Sequence, residues 1–240
     1  MIKVQRSACP GRYQSSQYQT DLAQADADLE AATRDFPANS KEVKAARNRV
    51  KRCETRYQRA KSPLYRMCHK VCVYCQKQLE LTESDIDHFY PKALYRHLTF
   101  DWNNLLISCA TCNRSYKHTY DPGDPPGIID PTAIDPAHHL EFNIEVAVVG
   151  GRELVLAIVD DLTPLGQETV RLFDLNGERG RTQLVKIRNT VIQKLYLIYK
   201  KACQGDQEAK EFLRAASDPE SEEGFTAFAQ TLYAKIPPSS

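Results

Sequence analysis

The fold is decided by residues 72–117, which begin Cys72-Val-Tyr-Cys75, continue through Asp85-Ile-Asp87-His88-Phe-Tyr-Pro91 and close with Cys109-Ala-Thr-Cys112-Asn113-Arg-Ser-Tyr-Lys117. Two CxxC pairs, separated by 33 residues, frame an Asp-His pair. Such pairs can converge as four thiolates around a tetrahedral zinc ion. Four sulfurs leave no open coordination position, so this Zn²⁺ would be structural. The alternative is two unrelated pairs of free cysteines.

The segment between the cysteine pairs carries side chains suited to phosphodiester hydrolysis. That reaction needs a base with a near-neutral pKa and a divalent cation beside the phosphate oxygens. His88 can supply the base, and Asp87 can supply a hard oxygen ligand. An Asp-His dipeptide alone is weak support, but this one lies inside the cysteine frame and is followed by Asn104 and Asn113.

This pattern of residues resembles the HNH endonuclease motif with its four-cysteine zinc site. The matching positions are Asp87-His88-x-x-Pro91 and Asn104-Leu-Leu-Ile-x-Cys109-x-x-Cys112-Asn113-x-x-x-Lys117. The resemblance implies a ββα-metal core, in which two strands and a helix surround a catalytic ion. It implies that His88 is the general base and that Asp87 and Asn113 bind Mg²⁺ or Mn²⁺. It also implies that Asn104 braces the loop that orients the base.

The residues that contact substrate phosphate are less clearly marked. Members of the HNH family often carry the sequence CNxxK, whereas Lys117 follows Asn113 by four residues in this chain. The additional residue leaves three candidates for the phosphate contact: Arg114, Lys117 and His118.

Residues 1–66 are predicted to form an N-terminal antiparallel helical hairpin. Apolar residues recur at alternating spacings of four and three over residues 18–36, and again over residues 43–64. Asn39 is predicted to cap the second helix, with Glu42 three residues later. Two amphipathic arms joined by a short turn favour an antiparallel pair.

The two arms differ in charge. Residues 18–36 contain five acidic residues and one basic residue, whereas residues 41–70 contain eleven Lys/Arg and two Glu. One interpretation is that the arms pair electrostatically and the remaining bases form a solvated face. The other is a basic stripe that binds nucleic-acid phosphates. Both can hold, although the net charge of +1 does not by itself indicate a nucleic-acid partner.

The remainder of the chain is predicted to be mainly helical. After a nuclease core at 67–121, residues 122–160 are predicted as a linker and a β-hairpin that turns at Gly150-Gly151. Residues 161–240 are predicted as a C-terminal helical region. Its helices are expected to begin at Thr163-Pro164, with others at about 178–203, 207–216 and 221–234, and the tail from Pro237 is expected to be loose.

These elements define a mainly α fold with a small α+β core. The predicted order is the N-terminal helical hairpin, the zinc-stapled ββα-metal HNH core, the β-hairpin insert and a C-terminal helical bundle. No apolar run approaches the ~18 residues that a membrane span needs, and the N-terminus lacks a signal peptide. A cytoplasmic location is therefore expected, where the eight cysteines favour metal ligation and free thiols over disulfides.

A wider part of the chain resembles the PtuB-type nucleases of Septu anti-phage defence. The matching residues are Met1-Ile-Lys-Val-x-Arg6, Asp130-Pro131, Asp135-Pro136-x-His138-His139-x-x-Phe142, Glu168-Thr-Val-x-Leu172-x-x-Leu175-Asn176 and Leu184-x-x-x-Arg188. This resemblance implies a hetero-oligomeric complex with a PtuA-like ATPase, docked on the C-terminal helices or on the hairpin.

The predicted function is metal-dependent hydrolysis of nucleic-acid phosphodiester bonds, with DNA favoured over RNA as the substrate. The alternative from another class is a non-catalytic, zinc-stapled nucleic-acid-binding or adaptor subunit. The pair Asp87-His88 argues against that alternative, because a scaffold has no need for a carboxylate and a base inside the zinc frame.

Overall fold

The computed structural model describes residues 1–237, so the expectation for the tail lies outside the described residues beyond Pro237. The helices are α1 (Ser15–Asp35), α2 (Lys41–Glu54), α3 (Lys61–Met67), α4 (Pro164–Phe173), α5 (Thr182–Cys203), α6 (Gln207–Ala216) and α7 (Thr226–Ala234). The strands are β1 (Ser84–His88), β2 (Leu105–Cys109), β3 (Leu140–Val149) and β4 (Arg152–Asp161). The broad prediction of a mainly helical chain with a small β part is confirmed. None of the helices in residues 1–237 has the length and apolar character needed to cross a membrane.

Helices α1 and α2 form the predicted antiparallel hairpin. Ion pairs join Asp28 to Arg49 at 2.5 Å and Asp21 to Arg56, so residue numbers rise along one helix as they fall along the other. Each helix buries an apolar seam that includes Leu22 in α1 and Val43 in α2. The hairpin is therefore stabilised by apolar burial together with charge pairing between the arms.

The second arm differs from its prediction at both ends. Its cap is Ser40 rather than Asn39, because the Ser40 hydroxyl accepts a hydrogen bond from the Val43 amide at 3.2 Å. The α-helix also ends at Glu54, and a 3₁₀ turn over Thr55–Ala60 leads into α3. Pro63 prevents one continuous α-helix through this region, because it cannot donate to the residue four positions earlier, and it lies in the first turn of α3, where no such bond is needed.

Strands β1 and β2 form the small sheet of the predicted nuclease core. They pair in antiparallel register from Ser84↔Cys109 to His88↔Leu105. A π-helical segment, Thr111–Lys117, follows β2 directly. The strand–strand–helix order matches the predicted ββα core, with a π-helix in place of an α-helix. This order brings the end of β1 beside the start of the π-helix.

The β-hairpin turns where the sequence predicts. Gly150 and Gly151 adopt φ angles of 59° and 77°, which fit a two-residue turn of type I′ between paired Val149 and Arg152. The outer edge of β4 is covered by side-chain amides, which protects it from pairing with another strand. The backbone amides of Val155, Ala157 and Val159 donate to Gln193, Asn189 and Asn176 at 3.0, 3.1 and 3.0 Å.

The C-terminal helices begin later than predicted in two cases. Thr163 caps α4 as expected, by accepting from the Gly166 amide at 3.2 Å. Helix α5 begins at Thr182 rather than about 178, because a loop with positive φ at Gly177 and Gly180 precedes it. Helix α7 begins at Thr226 rather than 221, after a left-handed Phe225.

Segments near both ends of the described residues pack on the predicted nuclease core. Arg6 donates from Nη1 to the carbonyl oxygens of Trp102 and Leu105, at 2.9 and 2.7 Å, just before and at the start of β2. At the start of α7, the Ala227 amide donates to Oε1 of Gln76 at 3.1 Å, directly after the first CxxC pair. One hydrophobic core runs through all these elements. The predicted domain limits at residues 66, 121 and 160 stay predictions.

Candidate active site and metal centre

The two CxxC pairs converge on one buried point. Cys72 and Cys75 lie in a tight turn after α3, Cys109 ends β2, and Cys112 lies in the π-helix. The four Sγ atoms all lie within 4.8 Å of one another. A tetrahedral zinc ion with Zn–S bonds of about 2.3 Å separates its sulfurs by about 3.8 Å. The four cysteines therefore fit a closed, four-coordinate metal site.

Hydrogen-bond donors surround the sulfurs of the second pair. The Cys112 amide lies 3.3 Å from the Cys109 Sγ. Arg181 places Nη2 3.0 Å from the Cys112 Sγ and 3.8 Å from the Cys109 Sγ. Sequence reasoning missed Arg181, because a single arginine 69 residues after Cys112 belongs to no local spacing pattern.

Three of the four predicted catalytic residues line one pocket of about 520 Å³, and Asn104 is not among its lining residues. Asp87 and His88, at the end of β1, line it together with Asn113 from the π-helix. The other lining residues are Tyr57, Ile86, Pro91, Lys92, Ala93, Arg114, His118 and Thr119. The contact between β1 and the π-helix therefore brings these three predicted residues together.

The hydrogen bonding of His88 fixes its tautomer. Nε2 lies 3.0 Å from the Thr99 carbonyl oxygen, and a carbonyl can only accept, so Nε2 carries the hydrogen. The lone pair therefore lies on Nδ1. Burial lowers the pKa of His88 to about 4, against a smaller opposing effect of the Thr99 hydrogen bond. The imidazole is thus neutral near pH 7 and can accept a proton, although a pKa this far below neutrality makes it a weaker base than an ordinary histidine.

Asn104 holds the loop that carries Thr99. Its Oδ1 accepts from the Tyr90 amide at 2.7 Å, and its Nδ2 donates to the carbonyl oxygens of Tyr90 and Leu98 at 3.0 and 3.1 Å. Asn104 is itself buried at the start of β2. These bonds tie both ends of the 90–98 loop to the sheet and so support the carbonyl that contacts His88.

Asp87 is buried, and both of its carboxylate oxygens have protein partners. Oδ2 accepts from the Tyr74 hydroxyl, and Oδ1 accepts from Nζ of Lys117 at 3.2 Å. Burial raises the pKa of the Asp87 carboxyl, while the Lys117 ammonium opposes the shift and favours the ionised form. The carboxylate is held by a phenol on one side and an ammonium on the other.

The π-helix explains the position of Lys117. Its wider turn accommodates the additional residue after Asn113 and directs both side chains toward β1. Nζ of Lys117 donates to the His88 carbonyl oxygen at 2.6 Å as well as to Asp87, and the Lys117 side chain is fully buried. Lys117 is not among the residues that line the pocket, and its contact with substrate phosphate stays a prediction.

Arg114 and His118 differ from Lys117 in their exposure. Both are exposed and line the pocket. Arg114 forms a bidentate pair with Asp85, with both distances at 2.7 Å, and this pair fixes its guanidinium at the pocket rim. His118 contacts the Thr119 hydroxyl through Nδ1 at 3.1 Å. Their contact with phosphate stays a prediction.

The remaining donor atoms suit a hard divalent cation. Nδ2 of Asn113 donates to the Ile86 carbonyl oxygen at 3.3 Å, which leaves the amide oxygen as the group it can offer to a ligand. Together with the Asp87 carboxylate, this gives an oxygen donor set of the kind that Mg²⁺ and Mn²⁺ prefer. The residues present therefore fit a catalytic cation that keeps several waters.

Two neighbours of His88 were not predicted: the aromatic residue Tyr57 and the basic residue Lys92. The Tyr57 ring contacts the His88 ring edge-to-face, with 4.8 Å between centroids. Nζ of Lys92 lies 5.2 Å from the Tyr57 ring centroid. Tyr57 belongs to the 3₁₀ turn that follows α2, so the helical hairpin contributes one wall of the pocket. In the sequence, Tyr57 fits the apolar seam and gives no sign of this second contact.

Residues 72–119 match the family model described as HNH endonuclease. The chain is also similar to two curated proteins named Septu protein PtuB. The protein from Bacillus mycoides (strain KBAB4) is 34% identical over 111 residues, covering 34% of this chain and 38% of the relative. The protein from Bacillus thuringiensis is 40% identical over 84 residues, covering 34% of this chain and 32% of the relative. The resemblance to PtuB-type HNH proteins is thereby confirmed.

The chain spans about a third of the length of the curated relatives that it matches. No solved structure matches the chain.

Proposed function

We propose that this chain is an endonuclease that hydrolyses nucleic-acid phosphodiester bonds, with DNA favoured over RNA. The observation that carries the proposal is the state of His88. Its Nε2 is fixed by the Thr99 carbonyl, and its neutral imidazole lines a pocket shared with Asp87 and Asn113. A buried, neutral, oriented histidine beside a carboxylate is the arrangement that a general base needs.

In the proposed reaction, Nδ1 of His88 accepts a proton from the attacking water. The Thr99 carbonyl keeps its hydrogen bond to Nε2 and stabilises the imidazolium that forms. Tyr57 packs against the ring and restricts its rotation. A Mg²⁺ or Mn²⁺ ion held by Asp87 and Asn113 supplies, when bound, positive charge that offsets the charge developing on the phosphate oxygens. Tyr74 and Lys117 fix the Asp87 carboxylate.

Substrate affinity is proposed to come mainly from contacts with the phosphate backbone. Several bases on α2 are exposed and form no ion pair with other residues in 1–237: Lys41, Lys44, Arg47, Lys51 and Arg52. Helix α2 leads through the 3₁₀ turn to Tyr57 at the pocket wall. A row of free cations that leads to the reactive site supports binding along a strand rather than the reading of bases.

The cysteine cluster is proposed to hold a structural Zn²⁺. Four sulfurs close the coordination shell, so the proposed role is to fix the turn at 72–75 against the π-helix. The similarity to Septu protein PtuB supports a role in anti-phage defence. The same resemblance supports a hetero-oligomeric complex with a PtuA-like ATPase.

A second candidate function is a non-catalytic adaptor that binds nucleic acid. The hydrogen bonding of Asp87 favours this adaptor, because Tyr74 and Lys117 already donate to both carboxylate oxygens. An adaptor would retain the HNH fold, while Lys117 would take the place of the cation. The neutral His88 beside this carboxylate favours the nuclease, since a binding surface needs no oriented base.

The experiment compares His88→Ala with His138→Ala, which alters an exposed histidine outside the pocket. The protein is purified with any bound partner, and nicking of supercoiled plasmid and of RNA is measured with Mg²⁺ or Mn²⁺. We expect loss of cleavage in His88→Ala alone, with metal content unchanged and the protein still folded at the assay temperature. Cleavage that persists in folded, metal-replete His88→Ala would exclude His88 as the base. A wild-type protein that binds nucleic acid but never cleaves it would support the adaptor.

A further inference from the structure

We propose that Arg181 completes the four-cysteine metal site from outside the HNH segment, as an outer-sphere partner of the thiolates. Arg181 lies directly before α5, well beyond the matched residues 72–119. Its role is that of a positioning residue, which acts through Cys112 and Cys109. The inference rests on the proposed metal site and does not depend on nuclease activity.

The contact is direct and buried. Only 7% of the Arg181 surface is exposed. Nη2 donates to the Cys112 Sγ at 3.0 Å and lies 3.8 Å from the Cys109 Sγ. Nη1 donates to the Phe173 carbonyl oxygen at 2.5 Å, and the guanidinium covers the Tyr116 ring at 4.8 Å. The guanidinium is thus fixed by its other contacts with one edge directed at the sulfurs.

The loop before α5 is organised to present Arg181. Asp174 adopts a left-handed conformation with φ of 47° at the end of α4, and its carboxylate points back into the loop. That carboxylate accepts from the backbone amides of Arg181 and Arg179, at 2.9 and 3.0 Å. Gly177 permits the turn, since its φ is 76° and a Cβ there would lie 2.8 Å from Val185. The backbone that carries Arg181 is held independently of the cysteines.

The net charge of the proposed metal cluster explains why a buried arginine would stabilise it. Four thiolates around a divalent cation carry a net charge of −2, and this cluster is buried among apolar side chains. Burying uncompensated charge is costly, and a cation that also donates hydrogen bonds reduces that cost. Charge-assisted hydrogen bonds to sulfur also hold the ligands in place. Arg181 should therefore slow the loss of the metal.

The chain contains a control for the effect of burying an arginine. Arg188 on α5 is also buried, with 3% exposed, and donates to the Leu175 carbonyl oxygen at 2.8 Å. Its guanidinium lies over the Phe228 ring at 5.4 Å, and it makes no hydrogen bond to sulfur within residues 1–237. Arg188 also lies within electrostatic range of Cys75, so its loss should reduce stability and affect the metal site less than the loss of Arg181, which donates to sulfur directly.

The experiment measures metal release from the full chain into excess chelator for the wild type, Arg181→Met, Arg181→Lys and Arg188→Met. We expect Arg181→Met to release zinc about tenfold faster than the wild type, the size typical of lost outer-sphere contacts. Arg181→Lys should rescue part of the difference, because it keeps the charge and loses the planar fork. Arg188→Met should release zinc more slowly than Arg181→Met, because it loses no hydrogen bond to sulfur.

Absorption of the cobalt-substituted protein supplies a second readout. The sulfur-to-cobalt charge-transfer band should shift in Arg181→Met and less in Arg181→Lys, because the band reports the electron density on sulfur. Equal acceleration in Arg188→Met and Arg181→Met would overturn the proposal, as would unchanged release and an unchanged band. If Arg181→Met does not fold, Arg181→Lys decides, since wild-type release with a wild-type band contradicts the role. If the wild-type protein contains no metal, both the proposed metal site and the proposed role of Arg181 are wrong.

Discussion

The hydroxyl of Tyr74 donates a hydrogen bond to Oδ2 of Asp87. Tyr74 lies between Cys72 and Cys75, so one side chain joins the cysteine cluster to the carboxylate of the candidate active site. Its ring stacks on Phe173, with centroids 4.1 Å apart and planes inclined by 19°. The two proposed metal sites are therefore mechanically linked, and the turn that carries the cysteines also determines where Asp87 lies.

This link predicts that Tyr74→Phe separates metal content from activity. Phenylalanine keeps the ring that stacks on Phe173 but removes the hydrogen bond to Asp87. We expect zinc content to be unchanged and plasmid nicking to fall about tenfold, because contacts that orient a metal ligand commonly have effects of this size. The Mn²⁺ concentration needed for half-maximal nicking should rise.

A matched control for Tyr74→Phe is Tyr65→Phe. Tyr65 is also buried, and its hydroxyl donates to the Leu79 carbonyl oxygen at 2.6 Å. Each variant should lose about 1 kcal/mol of stability for a hydrogen bond. Wild-type nicking and an unchanged Mn²⁺ requirement in Tyr74→Phe would show that the Asp87 contact has no part in the reaction.

The proposed structural zinc predicts that Cys72→Ser weakens the whole protein. Loss of one of four thiolates should lower zinc content, reduce solubility and the midpoint of thermal unfolding, and reduce nicking. Prolonged chelation of the wild type should reproduce these changes. Cys9→Ser is the control, because Cys9 is exposed and lies outside the cluster. A Cys72→Ser protein with normal stability and zinc stoichiometry would disprove the four-thiolate site.

Short-range spacing made the centre of the site predictable. Asp87 and His88 follow each other, and each cysteine pair has the spacing that places two sulfurs on one turn. These features depend on neighbours in the chain, and sequence patterns report such neighbours well.

Long-range contacts could not be predicted in the same way. Arg181 reaches Cys112 across 69 residues, and only the packing of α4 and α5 on the core brings them together. The burial of Lys117 depends on a π-helix. One additional residue after Asn113 is compatible with a π-helix but does not by itself predict one. Tyr74 occupies one of the two positions that the CxxC pattern leaves unspecified, so the pattern does not predict its contact with Asp87.

The approach of α4 to the start of β3 predicts a strong effect of Gly166→Ala. A Cβ on Gly166 would lie 2.0 Å from the His139 carbonyl oxygen, which is backbone and cannot move away freely. We expect a loss of about 2 kcal/mol in the free energy of unfolding, in the range for overpacked sites. Chemical denaturation checks this value. Gly11→Ala is the control, because a Cβ there meets no atom within 4 Å, and equal stability of both variants would contradict the close contact.

The exposed bases of α2 predict a specific change in salt dependence. Lys44 and Lys51 form no ion pair with other residues in 1–237, whereas Arg49 on the same helix pairs with Asp28. If the free bases contact phosphates, each lost contact should reduce the slope of log Kd against log salt by about 0.9 on duplex DNA. The double variant Lys44→Gln/Lys51→Gln should therefore bind more weakly at low salt, by a similar factor for unrelated DNA sequences.

The measurement uses the folded His88→Ala protein, which binds without cutting, and titrates labelled duplex DNA at several salt concentrations. Arg49→Gln, made in the same background, is the control. This substitution removes a base that is already paired with Asp28 and leaves the free bases in place. It should keep the wild-type slope. An unchanged slope in Lys44→Gln/Lys51→Gln would mean that this face of α2 is only solvated. DNA would then have to reach His88 from the rim that carries Arg114 and His118.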